Sequence, residues 1–151
     1  MLLLVCILGL TGCRRGDSAT DAGAPGKALA QQVYNETVEL NVIINDNYYG
    51  ETDNNIESPP VWRIPQNADV IVNMENRGDE NHNWAIVQQG KTIPIPFEEG
   101  QASELLEYGA GMVYGQNRTT ITLNAPDVGV YQVICTVEGH YPYMQGVLVV
   151  E

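Results

Sequence analysis

Cys135, His140 and Met144 lie in one ten-residue run, Cys-Thr-Val-Glu-Gly-His-Tyr-Pro-Tyr-Met. A thiol, an imidazole and a thioether that close together offer donors that soft transition metals bind well. The run Val130-Tyr131-Gln132-Val133-Ile134 leads in and Val147-Leu148-Val149-Val150 leads out. Both flanks read as buried strands, punctuated by Gly129 and Gly146, so the three donors belong to one loop at the end of a β-structure. A fourth donor must come from elsewhere. The chain has 2 histidines, and the other is His82, at the mouth of a strand beginning Trp84-Ala85-Ile86-Val87. Two imidazoles, one thiolate and a weak axial thioether form the ligand inventory of a mononuclear type 1 copper site.

Length and composition narrow the alternatives. A chain of 151 residues has room for one domain with a proper core. Its formal net charge of -12 disfavours nucleic acid and anionic lipid as principal ligands, because both would be repelled. It favours a protein partner with a basic surface. Of the 3 cysteines, Cys6 and Cys13 lie in or at the end of an apolar leader, leaving Cys135 as the sole thiol of the folded part. A lone unpaired thiol in an exported protein suggests a metal ligand or a reactive group.

Residues 1–12 have the leucine-rich apolar character of a signal peptide, about half the length that spans a bilayer. Leu10-Thr11-Gly12-Cys13 resembles the bacterial lipoprotein box, which implies lipidation of Cys13 and a membrane anchor. No Lys or Arg precedes the apolar run. Residues 13–35 are rich in Gly, Ala, Ser and Asp and read as a flexible tether, with a reach on the order of 25 Å. Residues 36–151 make the folded domain. Val38, Leu40, Val42 and Ile44 alternate with Thr37, Glu39 and Asn41, a half-buried strand, and Val70–Met74 and Thr119–Leu123 read as later strands. Asn45–Pro60 reads as a polar surface insert, and Ala102–Glu107 as a short helix in an insert broken by Pro94 and Pro96. Short strands separated by Gly, Pro and Asn turns predict an all-β Greek-key sandwich of about seven or eight strands with a short helical insert.

His-Asn-Trp upstream and Cys-x4-His-x3-Met near the C-terminus together resemble the cupredoxins, and among them the azurins and the membrane-tethered auracyanins. The resemblance covers residues 36–151. It implies that His82, Cys135 and His140 bind one Cu(I)/Cu(II) ion with Met144 as axial ligand, and that the protein is a one-electron carrier, not an enzyme. It implies that the Asn81 carbonyl lies opposite the methionine and that Asn83 ties the two ligand loops together. The Val137 N–H is then the donor to the cysteine sulfur, and Tyr141, Pro142 and Tyr143 rim the exposed ligand where redox partners dock. Glu138 departs from the azurin pattern, which has proline there. The implied location is the extracytoplasmic, periplasmic or outer, face of a bacterial membrane.

Other functions fit the residues less well. A multicopper oxidase or copper nitrite reductase needs more histidines than the chain has. A binuclear copper centre needs a second cysteine in the loop, where Glu138-Gly139 supplies none. A cysteine–histidine hydrolase can be written from Cys135 and His140, but Met144 and the loop spacing suit a metal better. An extracytoplasmic protein for copper delivery or storage stays open as the alternative.

Overall fold

In the computed structural model, residues 35–151 are described. The leader, Cys13 and nearly all of the tether lie outside the described residues. Among the described residues, no helix is long and apolar enough to cross a membrane.

Among the described residues, eight strands form two sheets: β1 (Thr37–Ile44), β2 (Val61–Ile64), β3 (Asp69–Asn76), β4 (Ala85–Val87), β5 (Leu106–Gly109), β6 (Arg118–Asn124), β7 (Gly129–Ile134) and β8 (Gln145–Val150). One sheet has the order β1-β3-β6 and the other β2-β8-β7-β4-β5. β1 runs parallel to β3 with Thr37 opposite Asp69 and Ile44 opposite Asn76, and β2 runs parallel to β8. The remaining pairs are antiparallel. Parallel neighbours need crossover connections. Here the chain leaves β1, supplies β2 to the opposite sheet, and returns as β3, so the sandwich is closed by sheet-to-sheet crossings.

The period-2 pattern fixes which side chains face inward. Leu40, Val42 and Ile44 of β1, Val70, Val72 and Met74 of β3, Tyr131 and Val133 of β7, and Leu148 and Val150 of β8 are buried in one cluster with Trp84 and Ile86. Burial of each large apolar side chain contributes about 1.5–3 kcal/mol. β7 and β8 depart from the fully buried reading: they alternate, and Val130 is 65% exposed while its neighbour Tyr131 is buried. The physical reason is that each sheet has its inner face against the other and its outer face in water.

The helical insert is shorter than the sequence suggests. α1 covers Ala102–Leu105, and Leu106 and Glu107 already belong to β5, where Leu106 pairs with Val87. The insert carries its own small core, in which Val87, Ile93, Phe97 and Ile134 are buried together. Asn45–Pro60 is only partly a surface insert. Tyr49 is completely buried within it, edge-on to the Trp62 ring at 5.9 Å, and its hydroxyl donates to the Asn83 carbonyl.

Tyr131 closes the turn before β7 by donating its hydroxyl to the Asp127 carbonyl at 2.6 Å. A tyrosine corner of this kind is a recurrent feature of β-sandwiches. Tyr131→Phe is expected to lower the unfolding free energy by about 1 kcal/mol, measured as a shift in denaturant midpoint at unchanged slope; an unaltered midpoint would show that the bond contributes nothing net.

Candidate metal centre

The loop between β7 and β8 is wound on itself. The Cys135 N–H donates to the Met144 carbonyl at 3.1 Å, the Met144 N–H to His140 at 2.8 Å, and the His140 N–H to Val137 at 3.1 Å. Gly139, just before His140, has a φ of +83° with nothing within 4 Å of a built Cβ. The glycine is therefore required by backbone conformation, not by space. His82 comes from the segment before β4. It is fixed by a reciprocal backbone pair with Val113, N–H to carbonyl at 3.1 and 2.7 Å.

These two segments bring three donors together. His82 Nδ1 lies 3.1 Å from His140 Nδ1, and Cys135 Sγ lies 3.9 Å from the first and 3.6 Å from the second. Metal–nitrogen and metal–sulfur bonds run at about 2.0–2.3 Å, so each of these separations is short enough for one ion to bridge. His82 and Cys135 are fully buried, and His140 keeps 15% of its side chain exposed. Met144 is also fully buried, packed in the same core cluster as Cys135.

Asn83 joins the two segments that carry these donors. Its Nδ2 donates to Thr136 Oγ1 at 2.6 Å, and its Oδ1 accepts from the Thr136 N–H at 2.8 Å. Burial pushes the Cys135 thiol above its ordinary pKa, while the backbone N–H groups of Asn83 and Val137 directed at the sulfur pull the other way. Asn81 sits at the surface, where its Oδ1 accepts from the Gly115 N–H. Tyr143 is 61% exposed beside the loop. Tyr141 is half-buried against the small core of the insert, and its hydroxyl accepts from Gln132. Pro142 is half-buried, with its carbonyl bonded to the Gln145 side chain. The three residues are thus unequally available at the surface.

Two carboxylates that the sequence reading did not single out face the outer nitrogens of the imidazoles. Asp46 Oδ1 is 3.9 Å from His82 Nε2, and Glu80 Oε2 is 3.5 Å from His140 Nε2. Burial, and then the nearby His140, push His82 below its ordinary pKa, against the opposing pull of Asp46 and Glu80. A proton on Nε2, where the carboxylate favours it, leaves the Nδ1 lone pair aimed inward. Two imidazole Nδ1 atoms and a sulfur within 3.9 Å of one another suit a bound cation, and imidazole and thiolate are donors that a type 1 copper site uses.

The fold is a cupredoxin-like sandwich of two sheets, with two histidines and a cysteine brought together by the β7–β8 loop and the segment before β4. No family model matches the chain. Auracyanin-A of Chloroflexus aurantiacus is 33% identical over 87 residues, covering 50% of this chain and 54% of that protein, so the match spans about half the length of this relative. The solved structure of auracyanin A, described as a "blue" copper protein from that green thermophilic photosynthetic bacterium, superposes with a TM-score of 0.58 at 22% identity. That superposition covers 76% of this chain and 99% of the other. Dithionite-reduced auracyanin of Roseiflexus castenholzii gives a TM-score of 0.59 at 22% identity over 76% and 96% of the two chains. An azurin of Methylomonas sp. strain J gives 0.59 at 18% identity over 76% and 98%.

Proposed function

We propose that this protein is a membrane-tethered one-electron carrier that binds a single copper ion through His82, Cys135 and His140, with Met144 as axial ligand. The observation that carries the reading is the convergence of two imidazole Nδ1 atoms and one sulfur within 3.9 Å. Copper bound there would supply a one-electron couple between Cu(I) and Cu(II). The chain's own contribution is to hold the donors still. Strand ends, the Asn83–Thr136 tie and the self-bonded loop leave the side chains little room to rearrange, which suits rapid electron exchange.

His140 is the ligand nearest solvent, so the surface around it, with Tyr143 prominent and Tyr141 and Pro142 set further in, is the place for a partner to approach. Glu80 and Glu138 make that rim acidic, and Arg63, Arg77 and Arg118 each pair with a neighbouring acid. A redox protein with a basic face fits, and long-range attraction favours fast, brief encounters. Lipidation at Cys13, with residues 14–35 as tether, would confine the head to the extracytoplasmic face of the membrane. No substrate turnover is assigned.

Voltammetry of the copper-loaded full chain tests carriage against delivery or storage. A reversible one-electron couple, with both oxidation states retained over repeated cycles, is expected. A protein that holds only colourless Cu(I) and releases the ion on oxidation would be a delivery or storage protein instead. Met144→Gln is expected to retain copper but lower the potential, because a thioether favours Cu(I) and an amide oxygen does not. An unchanged potential in that variant would exclude Met144 as axial ligand.

A further inference from the structure

Asp46 lies in the bend after β1, far in sequence from every donor, yet it meets the metal centre at two points. Its Oδ1 faces His82 Nε2 at 3.9 Å. That nitrogen is buried and has no hydrogen-bond partner. The same oxygen accepts from the backbone N–H groups of Asp79 at 2.7 Å and Glu80 at 3.0 Å. Those two bonds fix the stretch from which the Glu80 carboxylate reaches to 3.5 Å from His140 Nε2. The approach depends on Gly78: a Cβ there would stand 2.1 Å from Asp46 Oδ1 and 2.8 Å from the Asp46 backbone nitrogen. A side chain at position 78 would therefore drive the carboxylate away from the loop.

We infer that Asp46 is a positioning residue of the metal centre, one carboxylate that governs both ligand imidazoles. It acts on His82 directly, across 3.9 Å, and on His140 through the backbone that presents Glu80. This inference rests on the copper reading proposed above. Carboxylates behind metal-binding imidazoles fix the tautomer and raise the basicity of the donor nitrogen. They also place negative charge near the ion, which stabilises Cu(II) more than Cu(I). Asp46 and Glu80 together thus hold the Nδ1 lone pairs inward and lower the reduction potential.

Two substitutions separate charge from scaffold. Asp46→Asn keeps an oxygen for the Asp79 and Glu80 N–H groups but removes the charge. Asp46→Ala removes both. In the copper-loaded full chain, Asp46→Asn is expected to lose roughly tenfold in Cu(II) affinity relative to Cu(I), by competition with chelators. That ratio corresponds to a rise of about 59 mV in a one-electron couple. Glu80→Gln is expected to raise the potential in the native background and to do so much less in Asp46→Ala, because Glu80 is then no longer held against His140. In the metal-free protein, imidazole nitrogen NMR should place the His82 proton on Nε2, with Nδ1–H gaining population in Asp46→Asn.

An unchanged Cu(II)/Cu(I) affinity ratio together with an unchanged His82 tautomer in Asp46→Asn would overturn the inference. Equal effects of Glu80→Gln in both backgrounds would overturn the link to His140. If the native chain takes up no copper, the copper reading fails, and the tautomer measurement still decides whether Asp46 orients His82. Should Asp46→Ala not fold, Asp46→Asn and Glu80→Gln carry the test alone.

Discussion

Asn83→Ala is expected to cost the metal-free protein about 2–3 kcal/mol of stability, estimated from two lost hydrogen bonds and the Thr136 N–H they leave unpaired. Asn83 is buried, and it is the side chain that bonds both the backbone and the hydroxyl of Thr136. Alanine leaves the segment carrying His82 and the segment carrying Cys135 without that polar link. Urea unfolding of the metal-free full chain measures the loss. A change below about 0.5 kcal/mol, the size of an ordinary surface substitution, would show that the two segments are held in place by packing alone. The same variant should bind copper more weakly, because the cost of bringing the two segments together then falls on the binding step.

The second large effect concerns the sulfur. Cys135→Ser is expected to abolish the sulfur-to-copper charge-transfer absorption and to weaken copper binding by more than the roughly 10–100-fold that outer-shell changes produce. A serine hydroxyl does not ionise near neutral pH, so the anionic donor that balances the ion's charge is gone. The fold itself should survive. The hydroxyl is smaller than the thiol, and the backbone N–H groups of Asn83 and Val137 that point at the sulfur can donate to an oxygen. Absorption spectroscopy and chelator competition read the metal, and circular dichroism reads the fold. Retention of an intense visible band in this variant would contradict the assignment of Cys135 as a ligand.

What the sequence discloses and what it withholds have physical causes. β1 alternates apolar and polar residues, so its inward face can be read from the sequence, whereas the unbroken apolar run Val147–Val150 of β8 hides the alternation that the structure shows. The donors are legible because the chain has only 2 histidines, and the structure brings both beside Cys135. Met144 is legible from its place in the same ten-residue run as Cys135 and His140, whereas Asn83 carries no such signal and follows only from the resemblance to cupredoxins. Tyr49 was missed because it stands among Asn, Asp and Glu residues, where no alternation marks an inward position; its burial depends on the Trp62 ring and the Asn83 carbonyl arriving from elsewhere. Asp46 was invisible for a related reason. An acidic residue in a polar loop reads as solvated, and only the close approach of Gly78 brings it against the loop that precedes His82. Tyr141, expected at the rim, is partly drawn inward by the apolar surface that the insert containing Ile93 and Phe97 supplies.

The imidazoles of His82 and His140, the thiolate of Cys135 and the thioether of Met144 are proposed to share one copper ion. Titrating the full chain with Cu(II) while recording the visible spectrum tests this proposal most directly. An intense blue absorption is expected, saturating at one ion per chain and bleaching reversibly on reduction. Uptake of Cu(II) with only the faint colour of nitrogen and oxygen ligation, or no stoichiometric uptake, would contradict it.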